Sequence, residues 1–198
     1  QKLTSICDDA WKEIIQTDGL RELSYVLSER RQGAKDKLSK EEETLINTLG
    51  VDGYHGWGQL YDVIVGSIKV PVTENGTEKA LSVGQAANKF ANPEREVRQN
   101  VFEGWEKAWG DKSELLAKTL NHLAGFRLNV YKQRGWDEVL KEPLEINRMK
   151  KETLDTMWKV IADNKSPFVQ FLQRKAELLG LEKLSWYDQD APLSKTES

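Results

Sequence analysis

A chain of 198 residues, with 38% hydrophobic residues, 31% charged residues and a net charge of −3, has the balance of a soluble globular domain able to bury a core. Its slight acidic excess argues against nucleic acid, whose phosphates demand a clustered basic face; the basic runs Arg30-Arg31 and Arg148-Met149-Lys150-Lys151 are short and lie beside acids. No stretch has the apolar length of a transmembrane span, and a single cysteine, Cys7, forbids an internal disulfide and fits a reducing, cytoplasmic setting.

Helical periodicity dominates from the start. Leu3, Ile6, Ala10 and Ile14 are spaced to share one face of a first helix, which Thr17-Asp18-Gly19 interrupts. Leu20, Leu23 and Leu27 predict a second helical stretch ending near Gly33. Ser39 followed by Glu42 is a capping box, and Glu41, Glu42 and Glu43 complement the positive end of the helix that follows. Gly53, Gly56 and Gly58 around Trp57 predict a flexible helix start; they lack the lysine and preceding strand of a phosphate loop. The helix they open carries Leu60, Val63 and Ile64.

Two short β-prone runs, Ser67 to Val72 and Thr77 to Leu81, flank Glu74-Asn75-Gly76. Asn-Gly between such runs predicts a hairpin over about residues 67–81, and we read Asn75-Gly76-Thr77 as its turn rather than as a glycosylation site. Ser82 to Gln85 predicts another cap, leading to Val83, Ala86, Ala87 and Phe90. Asn92-Pro93 predicts a helix start lined by Val97, Val101, Trp105 and Ala108. The longest helix, from Asp111 and Glu114, carries Leu116, Leu120, Leu123, Ala124, Leu128 and Tyr131 and closes near Gly135.

After a stretch expected to break at Pro143, Leu154, Met157, Trp158 and Ile161 share a helical face. Ser166-Pro167 starts a last helix with Phe168, Phe171, Leu172 and Leu179 expected inward and Gly180 as its stop. From Leu184 the tail is expected to run extended past Pro192. The expected fold is all-α, a multi-helix bundle with one small hairpin, without repeats or low-complexity segments.

Chemistry is sparse. His55 and His122 belong to no H-E-x-x-H pair, the spacing that sets two imidazoles on one helical face around zinc, so no metal ligand is assigned. Cys7 has no histidine near it in sequence and is expected to pack as a small hydrophobe. No G-x-S-x-G elbow occurs. The carboxylate pairs Asp8-Asp9 and Asp188 with Asp190 carry no acid–base assignment without geometry. The seven tryptophans are scattered among aliphatic neighbours and are expected in the core. No catalytic residue is assigned, and substrate-binding residues stay unknown at this level.

A set of short motifs nevertheless keeps a fixed order: Leu38-Ser39 before the acidic helix start, Trp57 with Leu60-Tyr61, and Pro93-Glu94-Arg95 followed by Arg98. Leu120-Asn121, Arg134-Gly135-Trp136 and Thr153-Leu154-Asp155 follow, then Lys175 to Gly180, Trp186-Tyr187-Asp188 and Ala191-Pro192. In this order and spacing the chain resembles the N-terminal part of the oligoendopeptidase F and thimet oligopeptidase family of zinc metallopeptidases. The resemblance runs from about Leu38 to Leu193 and weakens before that.

It implies one helical lobe over residues 1–198 of a larger two-lobed hydrolase, cut from a longer protein, with residues 184–198 leading toward a missing C-terminal catalytic lobe. The family's zinc site, H-E-x-x-H with a later glutamate, would lie downstream. This chain alone would then be inactive and metal-free, with zinc expected in the parent and short peptides as its substrates. The alternative is a stand-alone helical interaction module without enzymatic activity. Neither nucleic acid nor membrane is expected as a partner.

Overall fold

A computed structural model describes residues 3–74 and 76–193. The described residues form a largely helical fold with one antiparallel hairpin. In chain order the elements are α1 (Asp8–Ile14), α2 (Ser24–Lys35), α3 (Lys40–Gly50), α4 (Gly56–Ser67), β1 (Lys69–Glu74) and β2 (Thr77–Ser82). There follow α5 (Val83–Asn88), α6 (Arg95–Gly110), α7 (Ser113–Gln133), α8 (Lys141–Ile146), α9 (Lys151–Asp163) and α10 (Lys165–Leu178). They divide into two compact units, Gln1–Gly56 with His122–Val139, and Trp57–Asn121 with Leu140–Ser198.

In the first unit α1 is shorter than the spacing predicts. Leu3 and Ile6 precede it, and their carbonyl oxygens accept hydrogen bonds from Arg31 at 3.1 and 2.5 Å. Arg31, itself buried, also pairs with Asp8 at 2.8 Å and lies 5.0 Å from the ring centroid of buried Trp11. Cys7 holds the N-cap position of α1 and is exposed rather than packed. α2 runs through Gly33 to Lys35. The capping box at Ser39 is formed as predicted: Glu42 N–H donates to Ser39 Oγ at 3.2 Å, and Ser39 N–H to Glu42 Oε2 at 2.9 Å.

α4 starts inside the glycine cluster, at Gly56, as predicted, but the segment leading into it is itself helical. Val51–His55 form a π-helical turn, and Gly50 and Gly53 lie against Phe126 of α7. A Cβ on Gly53 would stand 3.1 Å from the Phe126 ring, so glycine here admits an aromatic that Tyr54 covers at 5.7 Å. α7 ends as predicted at Gly135, whose φ of 68° lets its N–H reach Lys132 O and that of Trp136 reach Tyr131 O. This is the Schellman arrangement.

The second unit holds the main apolar cluster. Ile68, Val70 and Val72 of the β1 side pack with Ala86, Phe90, Val101 and Ala108. The hairpin is paired from Lys69↔Ser82 to Glu74↔Thr77, and Gly76 adopts φ 76°; Asn75, the other residue of the predicted turn, lies outside the described residues. β1 lies so close to α6 that a Cβ on Gly104 would stand 2.0 Å from Pro71 O. Ser82 and Gln85 form the second predicted capping box. α6 begins two residues after the predicted Asn92-Pro93 start: Asn92 Oδ1 accepts from Glu94 N–H at 2.8 Å, making a turn before the helix instead of capping it.

Pro143 does not break a helix; it sits in the first turn of α8, where a missing N–H costs nothing. α10 stops at Gly180 (φ 69°) with the same pair of bonds as α7, Gly180 N–H to Glu177 O and Leu181 N–H to Ala176 O.

The apolar faces of several helices are open where the periodicity predicts core. Leu60 and Val63 of α4 are exposed while Ile64 is buried, and Leu120 and Leu128 of α7 are exposed while Leu116 and Tyr131 are buried. In α9 no residue is buried, and Met157, Trp158 and Ile161 face solvent. In α10 Phe168 is 68% exposed, Phe171 60% and Leu172 42%. Periodicity fixes which residues share a face, not what that face meets. The segment expected to run extended contains a capped 3-10 turn, Trp186–Asp188, that seats Asp188 in the interior; residues 194–198 lie outside the described residues.

Candidate functional site

Two arginine–carboxylate clusters draw together four of the ordered motifs. In the first unit, Glu43 of the acidic α3 start accepts from Leu38 N–H at 3.1 Å and pairs with Arg134 at 2.9 Å. The Arg134 guanidinium also covers the Trp136 ring at 5.1 Å. In the second unit, Asp188 is fully buried and Arg98 is 2% exposed. Asp188 accepts from Arg95 Nε and Nη2, from Arg98 Nη2 at 3.0 Å and from Ser185 N–H at 3.0 Å.

Arg98 spends its remaining donors on the carbonyls of Asn92, Pro93 and Tyr187 at 2.7, 3.0 and 3.0 Å. Burial pushes the Asp188 carboxyl up, but bonds from Arg95, Ser185 and Arg98 together outweigh it and hold the group below the usual carboxylate range. These residues spend most of their polar atoms on one another, and Asp188 and Arg98 are closed off from solvent. They are architectural.

A cleft of about 650 Å³ opens beside the hairpin end, lined by Thr73, Glu74, Lys89, Asn92, Glu94 and Glu96 among others. Glu74 at the end of β1 pairs with Lys79 at 2.7 Å and with Lys89 at 2.5 Å. Hydrogen bonds from Lys79 and then Lys89 lower its pKa to about 2. Asn100 of α6 accepts from Thr73 N–H at 2.7 Å. Glu94 and Glu96, exposed at the start of α6, give the cleft acidic groups outside the Glu74 pairs. The carboxylates of this open recess suit a cationic or amide-bearing ligand, and no sequence signal marked it because its residues come together only through the hairpin.

Where sequence offered possible chemistry, the structure disperses it. His55 is exposed in the π-helical turn, 5.3 Å edge-on from Tyr54, and His122 is exposed on α7. Asp8 is engaged by Arg31, and Asp188 is locked in its arginines while Asp190 is exposed. Among the described residues no three His, Cys, Asp or Glu side chains gather where a metal could sit, so this donor set does not fit zinc. Of the tryptophans Trp11 is buried, while Trp158 and Trp186 are exposed. Trp186 stacks edge-on to Phe90 at 5.1 Å beside Phe102. No described helix is long and apolar enough to cross a membrane.

The sequence model of the family described as Oligopeptidase F matches residues 2–69. Over 204 aligned residues the chain is 26% identical to Oligopeptidase PepF of Bacillus subtilis (strain 168), covering 98% of this chain and 29% of that protein. The solved oligoendopeptidase-F from Enterococcus faecium has a TM-score of 0.83 at 20% identity, covering 97% of this chain and 37% of that one. A solved chain from Chlamydophila abortus has a TM-score of 0.85 at 17% identity, covering 98% of this chain and 33% of its own. At these identities the two structures establish the fold. The chain thus spans 29% of the curated relative and 33–37% of the two solved ones.

Proposed function

From the premise that this chain belongs with the N-terminal part of the oligoendopeptidase F-like family, we propose that it is the non-catalytic helical lobe of a zinc endopeptidase. Its parent hydrolyses short peptides, and this lobe forms part of the wall of the substrate channel. The observation that carries the reading is the alignment of 98% of the chain with 29% of Oligopeptidase PepF. The open apolar faces of α9 and α10 support it over a self-contained interaction module, which would bury them. Zinc, when bound by the parent, would polarise the scissile carbonyl and acidify a water; the residues of this chain do not fit that ion. Their part would be to exclude folded proteins and to orient short ones, converting binding into position. The acidic cleft at Glu94 and Glu96 is the surface best suited to holding a peptide.

The test compares the full reading frame with the 198-residue chain on a short peptide. The full-length protein should cleave it, lose activity to a chelator and regain it with zinc, while the chain alone does neither. Cleavage by the purified chain, or a full-length protein indifferent to chelator, contradicts the assignment. For the wall itself, Glu94→Gln with Glu96→Gln should raise KM for peptides with basic ends several-fold and leave kcat unchanged. Unaltered KM would place the cleft outside the peptide path.

A further inference from the structure

The sequence of α9 predicts a strongly amphipathic helix, yet not one of its residues is buried. Leu154, Met157, Trp158 and Ile161 share one face by helical spacing, and Trp158 is 59% exposed. α10 carries Phe168, Val169, Phe171 and Leu178, all at least half exposed. Beside it a mainly apolar groove of about 840 Å³ lies between α10 and the chain after it, with Val169, Leu172, Leu184 and Trp186 in its lining beside polar residues such as Glu177 and Lys183. Lys175, which donates to the Gln189 carbonyl, fixes the far wall of this groove.

Helices of 13 and 14 residues are marginal on propensity alone and draw their stability from a packed apolar face. Large exposed apolar side chains gathered on two consecutive helices mark a contact surface. It is broader than a short peptide needs, since each helix is about 20 Å long at about 1.5 Å per residue.

We propose that the apolar faces of α9 and α10, with the adjoining groove, are the surface against which the rest of the parent polypeptide packs. The occupant is argued from length: the aligned relatives carry some two-thirds of their chains outside the part this chain covers. This inference rests on the proposed function in assuming such a parent. It goes further in naming the surface where the two parts meet.

The experiment places Trp158→Asp and Phe171→Asp, singly, in both the 198-residue chain and the full-length parent. Thermal melting and binding of an apolar fluorescent dye are then read on each. Because both side chains face solvent in the chain, its melting temperature should not change. In the parent, where they would be covered, each variant should lower it by several degrees. The unmodified chain should bind dye strongly and the parent weakly. Equal tolerance in parent and chain would overturn the proposal, since the face would then be open in the parent. So would a chain that sediments as a dimer, is made monomeric by either variant and has a parent indifferent to both, because a second copy would be the occupant. A parent that melts as expected but shows no chelator-sensitive cleavage would remove the functional reading and leave the packing surface standing.

Discussion

Replacing Arg98 with alanine leaves the Asp188 carboxylate in the interior with a charge only Arg95 can answer, and frees three backbone carbonyls from their donor. Removing one partner of a buried ion pair costs about 3–5 kcal/mol. Arg98→Ala should therefore destabilise by about that much in chemical denaturation, whereas Lys12→Ala, whose pair with Asp9 is solvent-exposed, should change little. The same carboxylates set the acid response. The folded pKa values of Asp188 and Glu74 are both lowered, so their stabilisation is complete above the unfolded values of 3.8 and 4.5 and fades as pH falls. For Glu74 the loss runs down through about 2. Melting temperature should hold above pH 5 and decline from about 4.5 towards 2, and Glu74→Gln should flatten part of that decline. An unchanged slope would show the lysine pairs to be inconsequential.

At the scale of elements, the tightest constraint is the approach of β1 to α6. Gly104→Ala would drive a methyl into the Pro71 carbonyl, a backbone atom that cannot rotate aside. A loss at or above the top of the usual range of about 1–3 kcal/mol for overpacking is expected, read as a large drop in melting temperature. Gly58→Ala in α4, with nothing within 4 Å of the added carbon, should instead be neutral or stabilising by up to about 1 kcal/mol. What was legible in the sequence at this scale was local. The two capping boxes, the hairpin and the glycine stops at 135 and 180 each depend on residues within a few positions of one another. The π-helical turn was not legible, because its glycines are explained by Phe126, more than 70 residues away in sequence. Asn92-Pro93 was misplaced for a nearer reason: an Asx turn and a helix cap use the same residue, and only geometry separates them.

For the molecule as a whole, four of the ordered motifs that gave the family resemblance meet in two clamps, Glu43 with Arg134 and Asp188 with Arg95 and Arg98. Their order was visible in the sequence; their pairing was not, since it spans some 90 residues in each case. In both clamps the matching residues hold the fold. Swapping the charges by Glu43→Arg with Arg134→Glu should recover much of the stability that either single change removes, measured as a double-mutant cycle. Independent, additive losses would mean that the pair is incidental to the first unit.

The distance between Arg98 and Asp188 along the chain has a consequence for synthesis. Ninety residues separate them, and at about 5–20 residues per second the ribosome needs roughly 5–20 s to deliver the aspartate after the arginine. During that interval the hairpin and α6 can meet once Gly110 is made, and Arg98 can reach the Asn92 and Pro93 carbonyls, but its Nη2 lacks the buried carboxylate. The nascent second unit is thus expected to seal around α6 only after Trp186–Asp188 emerges. A ribosome stalled before Ser185 should hold α6 open to protease, and one stalled well past Ala191 should not.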